Sequence, residues 1–491
     1  MEKREETDGV LPFDFDRNGG CRMMEHSCAV VLAAGKGTRM RSKKPKVLAE
    51  VLFRPMLGHV LAACREAGVE RICVVTGFGA EQVEAYLQTL GGGVETAYQA
   101  EQKGTGHAVM MAREFLQRQL AADPGSDTLV LYGDTPCLSA QVIREAYEHH
   151  KNRDSAATIV TTLLDDPTGY GRVIRAGEDV VRVVEQKDAT PEEAAVREIN
   201  SGVYWLKTGH LLSVLDQLRP NNAQGEYYLT DAVGLTIAAG KRVGACCTAD
   251  SDVVRGANSR KELHALNEIM RMRVIERQME AGVSFASTDG VIIAPDAQIG
   301  TDTVILGGTI LKEGVTIGED CVIGPNTLIQ RSEIGDRVKL NAVQCYQSKI
   351  HSDVDIGPFV HIRPNSEIRS FVHIGDFVEV KNSTIGEGTG ISHLTYVGDS
   401  DVGKNVNFGC GVVTVNYDGV RKHRCTIEDE AFIGCNTNLV APVRVGKSAY
   451  TAAGSTITRD VPDYALAIAR SRQEEKPGFA AKKLAGRKKK V

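Results

Sequence analysis

The chain has 491 residues, with 58 Lys and Arg against 63 Asp and Glu and a formal charge of −5. So mild an acidic balance offers no electrostatic footprint for nucleic acid, and none is expected as a partner. The length exceeds one ordinary domain and is ample for a buried core, while no apolar run approaches the ~20 residues of a membrane span.

Residues 1–25 hold six carboxylates between Glu2 and Asp16 and a seventh at Glu25, and no apolar stretch of signal-peptide type. They read as a mobile extension, with Met23 or Met24 as an alternative start. Twelve cysteines are scattered without a C-x-x-C, and a chain of this size needs no disulfide staples. Reduced thiols and a cytoplasmic location are expected.

From 26 to about 258, strand-like and helix-like segments alternate. CAVVLAA (28–34), RICVVTG (71–77) and DTLVLYGD (127–134) read as buried strands. PMLGHVLAACREAG (55–68) and TGHAVMMAREFLQRQL (105–120) read as helices. This alternation predicts a mostly parallel α/β sheet, with ligands at the strand C-termini.

The first strand runs into LAAGKGTRM (32–40). A dinucleotide fingerprint would need Gly at 40 and a Walker A loop Gly-Lys-Ser/Thr at 40–42, but Met40, Arg41 and Ser42 stand there. What remains is a G-x-G-T-R loop with Lys36, Arg39 and Lys46 nearby, suited to a triphosphate or else a tight structural turn. Asp134 follows a buried strand, a usual perch for a metal-binding carboxylate and also for a turn Asp. QAEQKGTGHA (99–108) offers Gln99, Gln102 and Thr105 to a base edge. DDPTGYGRV (165–173), VEQKDAT (184–190), EINSGVY (198–204) and NAQGEYYLTD (222–231) carry side chains that suit sugar hydroxyls.

Residues 259–288 read as a linker built on one long helix, with Leu263, Leu266, Ile269, Met270 and Met279 as its apolar positions. From 289 to 470 a six-residue beat takes over: Ile350, Ile356, Ile362, Ile368, Ile374 and Val380 fall at every sixth position. Neither a helix nor an isolated strand sustains a period of six, whereas hexapeptide repeats build a parallel β-helix. The beat breaks at TVNYDGVRKHR (414–424), which reads as a loop expelled from one coil. Arg363 and Lys381 suit a sugar phosphate, Asn407, Asn416 and Tyr417 suit hydroxyls or an amide, and His393 is the imidazole placed for acid–base work or for a structural hydrogen bond. Residues 471–491 are a basic tail.

Taken together, these motifs resemble the bacterial bifunctional UDP-N-acetylglucosamine pyrophosphorylase/glucosamine-1-phosphate N-acetyltransferase family. The resemblance spans all but the first 25 residues and the extreme tail. It implies an α/β nucleotidyltransferase (Rossmann-like) domain followed by a left-handed parallel β-helix, since periodicity by itself gives no handedness. It also implies a homotrimer, and a product that feeds cell-wall synthesis. The implied reactions are acetylation of glucosamine-1-phosphate by acetyl-CoA, then uridylyl transfer from UTP to N-acetylglucosamine-1-phosphate with loss of pyrophosphate. A sugar-phosphate nucleotidyltransferase with a non-catalytic, oligomerising β-helix is the alternative.

The resemblance further implies roles residue by residue. Gly35, Gly37, Arg39 and Lys46 match contacts to UTP, and Gln99, Gly104 and Thr105 the group that reads uracil. Gly171, Glu185 and Asn200 match the group that holds N-acetylglucosamine, and Asp134 and Asn258 the ligands of Mg²⁺. His393 matches the general base, and Arg363, Lys381, Tyr396 and Asn407 the sugar-phosphate ligands of acetylation. Asn416, Tyr417, Lys422, Cys435, Ala453 and Arg470 match positions that meet acetyl-CoA. Two departures stand out: Ser259 replaces an amide or Asp, and Cys435 replaces a usual Ser, with Cys410 in the neighbouring turn.

Overall fold

The structure is a computed structural model and describes Met24, residues 26–222 and residues 224–485. The chain divides into two compact units, residues 1–270 and 271–491, and the division falls within the helix Arg260–Glu280. The expected extension lies outside the described residues except for Met24. That residue is buried in the first core. In the expected tail, Phe479–Ala485 is a short exposed helix, and 486–491 lie outside the described residues. No helix among the described residues is long and apolar enough to cross a membrane.

The first unit is built on a nine-stranded sheet: β1 (Ser27–Leu32), β2 (Arg71–Thr76), β3 (Glu95–Tyr98), β4 (Asp127–Tyr132), β5 (Ala157–Leu163), β6 (Arg172–Ala176), β7 (Asp179–Val184), β8 (Glu198–Lys207) and β9 (Val243–Thr248). Its main order is β9-β5-β8-β4-β1-β2-β3. β1 pairs parallel with β2 and β4, and β8 runs antiparallel between β4 and β5. β1 is buried at all six positions and reads as a continuous apolar run, because both faces of a largely parallel sheet are covered. The helix Met56–Ala67 stops at Gly68, which caps it in the left-handed conformation. The expected single helix 105–120 is two, Thr105–Met111 and Arg113–Ala122, with Ala112 at the break.

The second unit is a left-handed parallel β-helix of three stacked sheets, with eleven, ten and nine strands. Most strands are two or three residues long, and each points one aliphatic inward. Ile356 pairs with Ile374, Ile374 with Ile391 and Ile391 with Phe408, all buried, so the six-residue beat becomes columns of stacked side chains. The corners place non-glycine residues such as Asn365, Phe377 and Asn382 at positive φ. Ser400 pairs directly with Cys425, which leaves 416–424 as an excursion outside the coil, closed by a bridge between Tyr417 and Lys422. In the linker helix Leu266 is buried, whereas Met279 is exposed and is not part of an apolar face.

Candidate active sites

In the first unit the Gly-rich loop leaves the C-terminal end of β1. Gly37 has a φ of 56°, and a Cβ there would stand 2.7 Å from the Cβ of Lys46. Glycine therefore lets Lys46 cross beneath the loop. The Lys46 ammonium donates to Oδ1 of Asn258 at 2.6 Å and pairs with the Asp134 carboxylate, which follows β4 on the neighbouring strand. Lys36, Arg39 and Gly35 are exposed, and open space faces Gly35.

Asp134 and Asn258 thus aim a carboxylate oxygen and an amide oxygen at one cation. Those are hard donors of the kind Mg²⁺ takes, with water and phosphate completing its shell. No group of three or more His, Cys, Asp or Glu suited to a metal occurs among the described residues.

A second group gathers where β3 ends. Gln99 is buried, and its amide donates to the Gly104 carbonyl at 3.3 Å and meets Nδ1 of His107 at 2.9 Å. Thr105 Oγ1 accepts from the Leu229 amide at 3.1 Å, and the Gly106 amide donates to the Tyr227 carbonyl at 2.8 Å. The segment 224–231 is therefore docked on the Gly104–Gly106 turn.

The third group also assembles. The Asn200 amide donates to the Gly171 carbonyl at 2.9 Å, and the Glu185 carboxylate lies beside Gly171 and accepts from Thr230 at 3.1 Å. Arg172, which was not expected, is almost wholly buried. Its guanidinium joins Gln186 at 2.7 Å and the carbonyls of Tyr170 and Ala194, tying the loops that carry Gly171 and Glu185. Burial pushes the Glu185 carboxyl above the usual carboxylate range, and Asp188 and Asp231 add to the rise. The Tyr228 hydroxyl is buried without a partner among the described residues. Its stretch was legible as polar, but the orphan hydroxyl was not.

In the β-helix the decisive arrangement is a ladder. Asp376 and His393 are register partners on adjacent coils, and Nδ1 of His393 stands 2.6 Å from Oδ1 of Asp376. The same register continues downwards. Ile391 pairs with Phe408, Phe408 with Ile433 and Ile433 with Thr451, so two residues further along His393 stacks on Cys410, Cys410 on Cys435, and Cys435 on Ala453. Hydrogen bonds from Asn436 to the Cys410 carbonyl and from Gly454 to the Cys435 carbonyl, both 2.8 Å, fix the rungs. Successive rungs of a sheet lie ~4.8 Å apart. Cys435 is exposed and Cys410 half-buried, unlike the buried Cys321, Cys345 and Cys425 of the same unit.

The adjoining sheet carries a cationic group. Arg363 bonds Glu379 at 2.7 Å one coil away. The Lys422 ammonium lies against that of Lys381 and holds its pKa below the ordinary lysine value, with partial burial adding to the fall. Lys422, which the resemblance matches to acetyl-CoA, thereby lies beside Lys381, which it matches to sugar phosphate. Asn416 donates to the Tyr396 hydroxyl at 3.3 Å and to Asp399, which also accepts from Asn382. A Cβ on Gly398 would stand 2.3 Å from the Tyr396 hydroxyl, so the phenol folds over that glycine. Asn407 lies on the His393 sheet, while Tyr417 and Arg470 are exposed.

A nucleotidyl transferase family model matches residues 28–255, and a bacterial transferase hexapeptide model of six repeats matches 296–331. A bifunctional protein GlmU of Acetivibrio thermocellus is 46% identical over 461 residues, covering 94% of this chain and 98% of that one. Bifunctional GlmU proteins of Caldanaerobacter subterraneus subsp. tengcongensis and of a Geobacillus strain are 49% and 47% identical, over 94% and 92% of this chain and 99% and 97% of theirs. With both catalytic units present over nearly its whole length, the chain belongs to the GlmU family of bifunctional enzymes, acetyltransferases of glucosamine-1-phosphate and uridylyltransferases of N-acetylglucosamine-1-phosphate.

Proposed function

We propose that uridylyl transfer takes place at the cluster of Lys46, Asp134 and Asn258, and acetyl transfer on the ladder headed by His393. The observation that carries the first assignment is the convergence of Asp134 and Asn258 on a single ammonium beside the Gly-rich loop. Mg²⁺ held by Asp134 and Asn258 would supply charge neutralisation on the phosphates. Lys46 and Arg39 would offset the remaining charge, and the amides of Gly35 and Gly37 would approach the triphosphate. Gln99, Gly104 and Thr105 read the base, and Gly171, Glu185 and Asn200 hold the sugar. The sugar phosphate oxygen then attacks the α-phosphorus and pyrophosphate leaves, a transfer that rests on positioning and charge rather than on an acylated or phosphorylated side chain.

In the second unit His393 takes the proton as the glucosamine amine attacks the acetyl thioester; the carbon–nitrogen bond forms, the carbon–sulfur bond breaks and CoA leaves as its thiolate, which is protonated to the free thiol. Lys381, Lys422 and Arg363 form the pocket for the phosphate: like charges held this close call for an anion between them. Tyr396, Asn407 and Asn416 orient the sugar and acetyl groups. Cys435 and Ala453, on the rungs below His393, line the path of acetyl-CoA with Tyr417 and Arg470.

The functional boundaries are 26–258, 259–288, 289–470 and 471–491, and the enzyme works in the cytoplasm as a homotrimer. A corner ladder of Phe359, Phe377 and Leu394, 55–61% exposed with the two rings stacked at 5.3 Å, supports the oligomer, because such a strip is poorly placed against water. The test is to incubate the protein with acetyl-CoA, glucosamine-1-phosphate, UTP and Mg²⁺, following free thiol and pyrophosphate separately. Both are expected. Pyrophosphate from N-acetylglucosamine-1-phosphate without thiol release would leave only a nucleotidyltransferase on a structural β-helix.

A further inference from the structure

We infer that Asp376 is the positioning residue of the acetyl-transfer site, fixing the tautomer of His393 and facing the imidazolium that forms on it. The inference rests on the reading of His393 as the general base.

The geometry sets this rung apart within its sheet. The other strands of the eleven-stranded sheet are two residues long, but His373–Asp376 and Gly390–His393 each run for four. The pairing is extended by one further contact, Asp376 against His393, and the Leu394 amide donates to the Asp376 carbonyl at 3.0 Å. Two side chains that leave adjacent parallel strands at the same register point the same way, and here they meet at 2.6 Å. An ionised carboxylate only accepts, so His393 must donate from Nδ1, and Nε2 is left unprotonated and free to take a proton. The contact holds the Asp376 carboxyl below the usual carboxylate range.

His393 faces Asp376 from the coil before, Cys410 from the coil after, and no charged residue within its own strand Gly390–His393. Asp376 is therefore the group whose charge favours the imidazolium that forms as the amine is deprotonated. No atom is transferred to Asp376. The proton goes from the amine to Nε2, and the carboxylate keeps its charge throughout.

The experiment compares the full-length protein with Asp376→Asn, Asp376→Glu and His393→Ala. Three quantities are read: the pH profile of acetyl transfer, the division of the effect between kcat and KM, and the His393 tautomer by ¹⁵N NMR, with its signals assigned by their loss in His393→Ala. Asp376→Asn removes the charge that faces the imidazolium, and the acid limb of the profile is expected to move to lower pH. Its kcat is expected to fall roughly ten- to a hundredfold, less than the ~10² to 10⁴ attributable to the base itself, with KM for glucosamine-1-phosphate nearly unchanged. Asp376→Glu restores part of the rate and the original acid limb. Uridylyl transfer and the melting temperature stay at wild-type values.

An unshifted acid limb and an unchanged tautomer in Asp376→Asn would overturn the inference, even if activity fell. Inactive His393→Ala beside a fully active Asp376→Asn would remove the role of Asp376 and leave the base in place. Wild-type acetylation by a folded His393→Ala would remove both.

Discussion

Nζ of Lys46 stands 2.6 Å from Oδ1 of Asn258, a residue 212 positions further along the chain. The Asp134 carboxylate closes the other side of the same ammonium. A cation of the protein thus sits between the two oxygens proposed to hold Mg²⁺.

Removing either oxygen should therefore damage one reaction only. Asp134→Ala is expected to abolish Mg²⁺-dependent pyrophosphate release and leave thiol release near wild type, because the β-helix unit makes its own site. Asn258→Ala should raise the Mg²⁺ concentration needed for half-maximal uridylyl transfer by roughly ten- to a hundredfold, the scale of losing one metal-site partner. A Mg²⁺ titration of pyrophosphate release measures this, and an unchanged midpoint would exclude Asn258 as a ligand.

His393→Ala should lower acetyl transfer by ~10² to 10⁴, the usual worth of a positioned general base. Glucosamine-1-phosphate should still bind, held by Lys381, Lys422 and Arg363. Thiol release measures the first statement and calorimetric titration the second. Loss of binding together with rate would point to a packing role for the imidazole.

The stack of His393, Cys410, Cys435 and Ala453 places two accessible thiols beside the proposed path of acetyl-CoA. Alkylation should slow acetyl transfer and spare uridylyl transfer, with acetyl-CoA protecting. The other cysteines of this unit, Cys321, Cys345 and Cys425, are buried and should react slowly. A Cys435→Ser protein that keeps the full sensitivity would assign the effect elsewhere, with Cys410 as the next candidate.

Glu185 should cost stability. Burial raises its folded-state pKa above the unfolded value, so the ionised form is disfavoured in the fold. Its contribution to stability consequently declines as pH rises from the unfolded pKa through the raised folded one, and the deficit is complete above it. Glu185→Gln should raise the melting temperature at neutral pH, with the gain vanishing in acid, while uridylyl transfer falls. Melting curves across pH test it. A mutant less stable than wild type at neutral pH would show that the bond from Thr230 outweighs the burial.

Much of this protein is local in sequence. The hexad needs only its own period: residues such as Ile356, Ile374 and Ile391 are inward because a short strand followed by a turn buries one aliphatic per side, whatever the rest of the chain does. β1 and its Gly-rich exit are equally local, since a fully apolar run must be covered on both faces and Gly37 has to pass over Lys46. His393 and Lys381 were legible as polar residues in a coil whose turns and core do not require them, whereas Asp134 read equally as a turn Asp and Glu185 only as part of a polar stretch.

What the sequence alone did not determine is which of these residues touch. The pairing of Asp376 with His393 depends on register between coils whose step slips between hexads, and a one-residue change would have put another side chain beside the imidazole. The nearness of Lys422 to Lys381 depends on the excursion 416–424 folding back across the coil. The bond from Lys46 to Asn258 joins opposite ends of the first unit. Periodicity and residue type are set over a few neighbouring positions, where sterics and burial act residue by residue. Contacts between distant segments are chosen by the packing of whole sheets and coils, so only the tertiary structure decided them.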